Sequence, residues 1–469
     1  MLAIKIPSTF IPERNYVIRQ LLGELLGLSY SVHIHETNLS MDYTIIALPN
    51  GRNLWIRDVF FSQFKDGEVY WHTDVSKIEV KDWHHDAAPE GSLPVLFGEA
   101  VLRVDEGDLI CEADLLAGVF FMLTRWEELA SSERDMHGRF PLKSSLAYKY
   151  QYWKRPVVNE TAEMLWNLLQ LIGIEQERRA ASFEMVITHD VDDLAYWGRK
   201  FRLLRSLGRT CLQMQPVEAY RVLQNYVRVK RGQEQDPYLT FDWLMDISER
   251  IGVQSRFYFM SGGISEYDNR YAIKSKACQR LLKHIQHRGH KLGFHPSYHS
   301  FTNKEQFIAE KLRLEEVAQC EIDEGRQHYL RFDADQTWRI WEEAGMKLDS
   351  TLGFAEDGGF RSGICQAYQV FDVHNRCELT LREMPLTVME VSLVGYLGLS
   401  PQDMLDRMND LQQKVRRYGG QFVLLWHNSN LSGRTWDPYR PIYQSFLLEG
   451  DVKSEQRRSS VIRASRTLG

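Results

Sequence analysis

The sequence predicts an α/β protein in two parts: a smaller α+β domain over residues 1–178, then parallel strands wrapped by helices over 179–469, as an open sheet or a barrel. Two observations predict this. From FEMVIT onward, apolar strand-like runs alternate with helical patterns of about 10 to 20 residues (QSRFYFM, CQRLLKHIQHRG, KLGFHP, KEQFIAEKLRLEEVAQC, HYLRFD, DQTWRIWEEAGM, LREMPLTVMEVSL, PQDMLDRMNDLQQKVRRYGG, QFVLLWHN), the signature of strands joined by helical crossovers. The polar stretch GIEQERRAA (Gly173–Ala181) precedes that pattern and marks the boundary.

Ahead of the boundary the elements are shorter. Tyr43–Phe64 carries Pro49-Asn50-Gly51 between apolar runs, a hairpin signal. Asp114–Ser132 places Leu115, Val119, Phe120, Leu123 and Trp126 at helical spacing, with Asp114 as its N-cap. A second amphipathic helix is expected over about 160–171.

With 43% hydrophobic and 26% charged residues and a mean hydropathy of -0.38, the 469-residue chain falls among globular proteins. A net charge of -6 argues against a general nucleic-acid binder. No uncharged apolar run reaches signal-peptide or membrane-spanning length, so no transmembrane segment and a cytoplasmic location are expected. The six cysteines form no CxxC pair, fitting neither a disulfide framework nor a thiolate metal site.

The chemistry-bearing residues cluster where expected strands end, which is where active sites of parallel α/β folds gather. MVIT runs into His189-Asp190-Val191-Asp192-Asp193, KLGF into His295-Pro296-Ser297-Tyr298-His299, HYL into Arg331, and QFVLLW into His427. On a helical turn His295 and His299 would share one face, and with an aspartate they would offer a divalent metal two imidazoles and a carboxylate. Zinc is the default ion for such a site, which could also accept cobalt, nickel, manganese or iron.

Residues 180–430 resemble the NodB-type polysaccharide deacetylases, the carbohydrate esterases that remove acetyl groups from sugars with a bound metal. The motif Gly289-His290-Lys291-Leu292-Gly293-Phe294-His295-Pro296-Ser297-Tyr298-His299 carries most of the likeness, with Thr188-His189-Asp190-Val191-Asp192. The resemblance implies a distorted (β/α) barrel. It assigns Asp190 as general base, Asp192, His295 and His299 as metal ligands, and His427 as general acid. Arg331 would orient Asp190, and Asp349 in Gly345-Met346-Lys347-Leu348-Asp349 would position the catalytic histidine. Phe332, Tyr298 and Trp426 would border the substrate. The chain departs from the family at His189, where an aromatic is usual, at Asn428, where an aspartate is usual, and at Val191, whose insertion leaves Asp193 as an alternative ligand.

The implied activity is hydrolysis of a linear carbon–nitrogen amide, the N-acetyl group of an amino sugar in a surface polysaccharide or its lipid-linked or nucleotide-linked precursor. O-deacetylation, and a catalytically silent glycan-binding or scaffold protein, are the alternatives. Residues 1–178 resemble an uncharacterised region that precedes such domains in bacterial surface-polysaccharide loci, through DLLAGVFFMLTRWEE and HGRFPLKSSLAYKY.

A helical insertion is expected at about 199–235. Arg199–Arg231 holds nine Lys/Arg against the single acid Glu218. It reads either as a solvated helical pair or as a contact for anionic lipid, an acidic glycan or a diphosphate carrier, which would place the protein on the inner face of a membrane. The tail from Lys453 is polar and basic.

Overall fold

The computed structural model describes residues 1–35, 42–47, 51–198, 201–268 and 271–448. The Pro49-Asn50 turn, Arg199-Lys200 and the tail from Lys453 lie outside them.

Two compact units form: Met1–Glu184 with Tyr329–Thr387 and Leu411–Phe422, and Met185–His328 with Val388–Asp410 and Val423–Gly469. Two later segments thus join the first unit, where the sequence suggested one boundary at 178.

In the first unit, strands β1 (Leu2–Ile6), β2 (Tyr30–Ile34), β3 (Tyr43–Ile46), β4 (Asn53–Ile56), β7 (Gly98–Asp105) and β8 (Asp108–Ala113) form a sheet of order β2-β1-β3-β4-β8-β7. Strands β5 (Lys81–His84) and β6 (Ser92–Val95) pair separately. Strands β3 and β4 pair antiparallel with Tyr43 opposite Ile56, the hairpin register expected of the Pro-Asn-Gly segment. Helix Leu115–Thr124 is buried along its whole length and begins at Asp114, whose carboxylate accepts the Ala117 N–H at 3.0 Å. The expected single helix over 114–132 is interrupted at Arg125. That residue adopts φ 54°, and its buried guanidinium binds Glu128 at 2.9 Å and Glu127 at 3.3 Å. Three further strands, β13 (Leu348–Asp349), β14 (Tyr368–Asp372) and β15 (Cys377–Glu383), belong to this unit.

The second unit carries β9 (Glu184–Val191) from Met185 onward, β10 (Ser255–Phe259), β11 (Lys291–Phe294), β12 (Glu324–Gly325), β16 (Val388–Met389) and β17 (Gln421–Leu425) from Val423 onward, in the order β12-β11-β10-β9-β17-β16. Pairs β9/β10, β10/β11, β11/β12 and β16/β17 are parallel. The order is linear. Among the described residues no pairing joins β12 to β16, so the closure of a barrel is not seen.

Glycine permits the tight spacing at the site end of this sheet. A Cβ at Gly293 would lie 2.3 Å from the Tyr258 ring, and one at Gly325 would lie 2.1 Å from the Phe294 carbonyl oxygen. Two expected strands are displaced. HYLRFD gives way to β12 at Glu324–Gly325, after which Tyr329 and Leu330 take φ of 61° and 54°, outside any strand. LREMPLTVMEVSL is divided into β15 and β16 around Pro385, which cannot donate to a ladder.

Candidate metal centre

Five strands deliver polar residues at their C-terminal ends: Asp190 and Asp192 on and after β9, His295 after β11, Arg326 and His328 after β12, Glu390 after β16 and His427 after β17. All belong to the second unit.

Asp192, His295 and His328 each offer a ligand atom, and these atoms lie within 4.8 Å of one another. His295 Nε2 stands 3.5 Å from Asp192 Oδ1, and His328 Nε2 stands 3.6 Å from the same oxygen. Two ligands about 2.1 Å from a tetrahedral ion are about 3.4 Å apart, so the separations suit a small divalent cation. The tautomer of His295 agrees. Its Nδ1 lies 2.7 Å from the Arg326 carbonyl oxygen, which can only accept, so Nδ1 carries a proton and Nε2 is the nitrogen left to face an ion. His295 Nε2 and Asp192 Oδ1 are both buried without a hydrogen-bond partner. Two facing buried polar atoms without a hydrogen bond are costly unless a cation stands between them.

The surroundings hold this arrangement. Asp268 accepts the N–H groups of Tyr298 at 2.7 Å and Ser265 at 2.8 Å and stands 3.6 Å from His328 Nδ1. Burial pushes its carboxyl up, but His328 and these N–H groups prevail and hold it at about 2. It is therefore the carboxylate that orients the imidazole of His328. The loop after His295 is fastened by buried Glu310, which accepts the Ser297 N–H at 3.0 Å and hydroxyl at 2.7 Å. The Asp192 carboxyl is likewise held low: burial opposes ionisation, and His295, His328 and His427 outweigh it.

Beside these three stand a base and an acid. Buried Asp190 accepts from Arg326 Nη1 at 2.9 Å, and its other oxygen lies 3.8 Å from His295 Nε2. Arg326 is itself fully buried, bonds Thr188 Oγ1 at 2.9 Å and lies over the Tyr258 ring at 5.2 Å. His427 Nδ1 is 2.6 Å from Glu390 Oε1, which also accepts the His427 backbone N–H at 2.9 Å and the Asn430 side chain at 2.8 Å. His427 Nε2 faces Asp192 Oδ2 at 3.7 Å. Burial lowers the affinity of His427 for a proton, but Glu390, Asp192 and Asp190 reverse this and raise it to about 10.

The other residues expected at the site are divided between the two units. His299 is exposed and outside the three-residue group, because the chain from His295 to Ser297 is not helical and the four-residue spacing brings no shared face. Arg331 belongs to the first unit, where its Nε donates to the His137 carbonyl at 2.7 Å. Asp349 also lies there, accepting the Thr351 N–H at 3.0 Å, with buried Glu383 raised by burial and by the charge of Asp349. Phe332 packs on Trp338 with ring centroids 4.9 Å apart. Trp426 is fully buried and meets Tyr443 edge to face, with ring centroids 5.1 Å apart. Tyr298 is buried against Tyr267 at 4.5 Å. Asp193 is engaged by Arg202 at 3.0 Å, which leaves Asp192 as the carboxylate of the group.

Residues 2–173 match a family model described as a family of unknown function, DUF7033. No curated protein matches the chain. Among solved structures the chain is similar to a candidate polysaccharide deacetylase from Mycobacterium smegmatis, at 15% identity over 61% of this chain and 92% of that one, with a TM-score of 0.38. It is also similar to a family 4 carbohydrate esterase from Streptomyces lividans in complex with acetate, at 10% identity over 58% and 91% of the two chains, TM-score 0.29. A third is a family 4 pseudoenzyme from Bacillus anthracis, at 12% identity over 57% and 62%, TM-score 0.28.

Sequence reading missed Arg326 and His328 and left Glu390 open between a substrate-facing and an ion-paired role. The signal for the first two was Arg326-Gln327-His328 directly after Glu324-Gly325, obscured by taking the apolar HYL as the strand. Glu390 follows the apolar pair Val388-Met389, a strand too short to show alternation.

Proposed function

We propose that this protein is a metal-dependent hydrolase that removes the N-acetyl group of an amino sugar. The observation that carries the reading is the pair of facing, unpartnered atoms, Asp192 Oδ1 and His295 Nε2, with His328 completing three ligands. Asp192, His295 and His328 would hold the ion, with zinc the first choice. A divalent ion there supplies Lewis acidity towards a carbonyl oxygen. Asp190, aimed by Arg326, accepts the proton of the attacking water. His427, charged through Glu390, donates a proton to the departing nitrogen, so that acetate and a free amine leave. The likeness of residues 289–299 to the deacetylase motif supports an acetylated sugar as substrate, in a surface polysaccharide or its precursor.

One observation favours the second reading, a catalytically silent glycan-binding protein: the histidine at the family's second ligand position, His299, is exposed. Metal content and acetate release, measured on wild type, His328→Ala and Asp190→Asn with nucleotide-linked, lipid-linked and polymeric acetamido sugars, separate the two. Bound metal with acetate release abolished in both variants supports the enzyme. Protein that takes up no metal and releases no acetate from any of the three overturns it.

A further inference from the structure

Between Asp192 and β10 the second unit carries a helical hairpin, Arg202–Leu212 and Pro216–Lys230. In the first helix only Thr210 is buried, and in the second no residue is. Six large apolar side chains in residues 201–220, Phe201, Leu204, Leu212, Met214, Val217 and Tyr220, are 61–88% exposed. Elsewhere among the described residues such side chains come singly or in pairs. Phe201, Leu204 and Leu212 share one face of the first helix, edged by Arg205 and Arg209, while Leu212, Met214 and Val217 form the tip.

Charge selects what covers this surface. Residues 201–231 hold seven Lys/Arg against Glu218 alone, in a chain of net charge -6. Arg205, Arg209 and Arg231 form no ion pair among the described residues. Two copies meeting through this face would oppose like charges. A soluble polyanion would satisfy the arginines and leave Leu212 and Met214, each 88% exposed, in water. A surface of anionic headgroups over acyl chains suits both sets of residues.

We infer that the hairpin 201–231 docks this protein on an anionic lipid bilayer, with its tip inserted among the headgroups. The hairpin is fastened at its base to the chain beside the metal centre. Arg202 pairs with Asp193 at 3.0 Å and lies over the Tyr196 and Tyr238 rings at 4.8 and 5.3 Å. Trp197 Nε1 donates to Asn225 at 2.7 Å, and Lys230 reaches the Trp197 carbonyl at 3.3 Å. Docking therefore holds the candidate metal centre at a lipid surface, where an amphiphilic substrate would be met. The inference is independent of the chemistry at that centre, because it is read without turnover.

The full-length protein is sedimented with vesicles of phosphatidylcholine alone and of equal parts phosphatidylcholine and phosphatidylglycerol, at low and high salt. Binding to the anionic vesicles about tenfold above the neutral ones, weakened by salt, is expected. Arg205→Glu/Arg209→Glu and Leu212→Ser/Met214→Ser should each bring binding down to the neutral level with an unchanged thermal melt, since all four residues are exposed. Equal or absent binding to the two vesicle types, or full binding by either double variant, overturns the inference. So does a dimer in sedimentation velocity that Leu212→Ser/Met214→Ser dissolves, which would assign the face to a second copy.

Discussion

His427 Nδ1 lies 2.6 Å from Glu390 Oε1, a fully buried carboxylate that also accepts the backbone N–H of the same histidine. The imidazole is thereby fixed in one orientation, with Nε2 towards Asp192, and its proton is retained up to a pH of about 10. Removing the charge of Glu390 while keeping its shape removes the main force opposing desolvation. In Glu390→Gln the His427 pKa should fall by about one unit or more. Because an acid catalyst works only while protonated, the alkaline limb of the acetate-release profile should move to lower pH in the variant, with the acidic limb unmoved. NMR titration of His427 in metal-free protein reads the same shift without turnover, and an unshifted resonance would refute the pairing.

The ligand set makes a sharper distinction. Asp192→Asn and His328→Ala should each weaken zinc binding by more than the roughly 10–100-fold expected of an outer partner, and Asp268→Asn by about that outer-partner range. His299→Ala should leave affinity unchanged, since that side chain is exposed. Isothermal titration of zinc into metal-stripped protein measures all four. A large loss in His299→Ala with none in His328→Ala would restore the spacing-based set.

What the sequence made legible follows the strength of its strands. MVIT, KLGF and QFVLLW are apolar runs long enough to announce strands, and Asp190, Asp192, His295 and His427 stand at their ends. Val388–Met389 and Glu324–Gly325 are two-residue strands whose pairing is dictated by neighbours, so Glu390, Arg326 and His328 had no periodic signal beside them. The division of 329–387 and 411–422 into the first unit was equally hidden, because interleaving of segments is a property of packing rather than of local pattern. HYLRFD has an apolar start but forms no strand, because Tyr329 and Leu330 turn the chain through positive φ.

Arg326 gives a test in stability rather than turnover. Its side chain and that of Asp190 are both nearly inaccessible, so Arg326→Leu leaves a buried carboxylate unpaired. Such a loss costs about 3–5 kcal/mol. Adding Asp190→Asn removes the stranded charge, so the double variant should recover most of that loss in urea denaturation. Additive single effects would show that the two side chains do not interact.

His189 makes the second unit less stable in acid. The buried ring bonds the Trp426 carbonyl through Nδ1 at 2.7 Å and Ser255 Oγ through Nε2 at 3.3 Å, crossing between neighbouring strands as a neutral group. Burial lowers its pKa from 6.5 to about 4, overcoming the hydrogen bond to Trp426 and the charge of Asp190. A depressed pKa contributes stability that is fully present above about 6.5 and is lost as pH falls through the window down to about 4. The full difference is about 3 kcal/mol, most of it gone by about pH 4.5. His189→Gln keeps a donor for the Trp426 carbonyl but cannot titrate. Unfolding free energies of metal-free protein from urea denaturation should therefore fall less between neutral and acid pH in the variant than in the wild type, by roughly 2–3 kcal/mol. Equal acid sensitivity in the two proteins would mean that His189 is already charged in the folded chain.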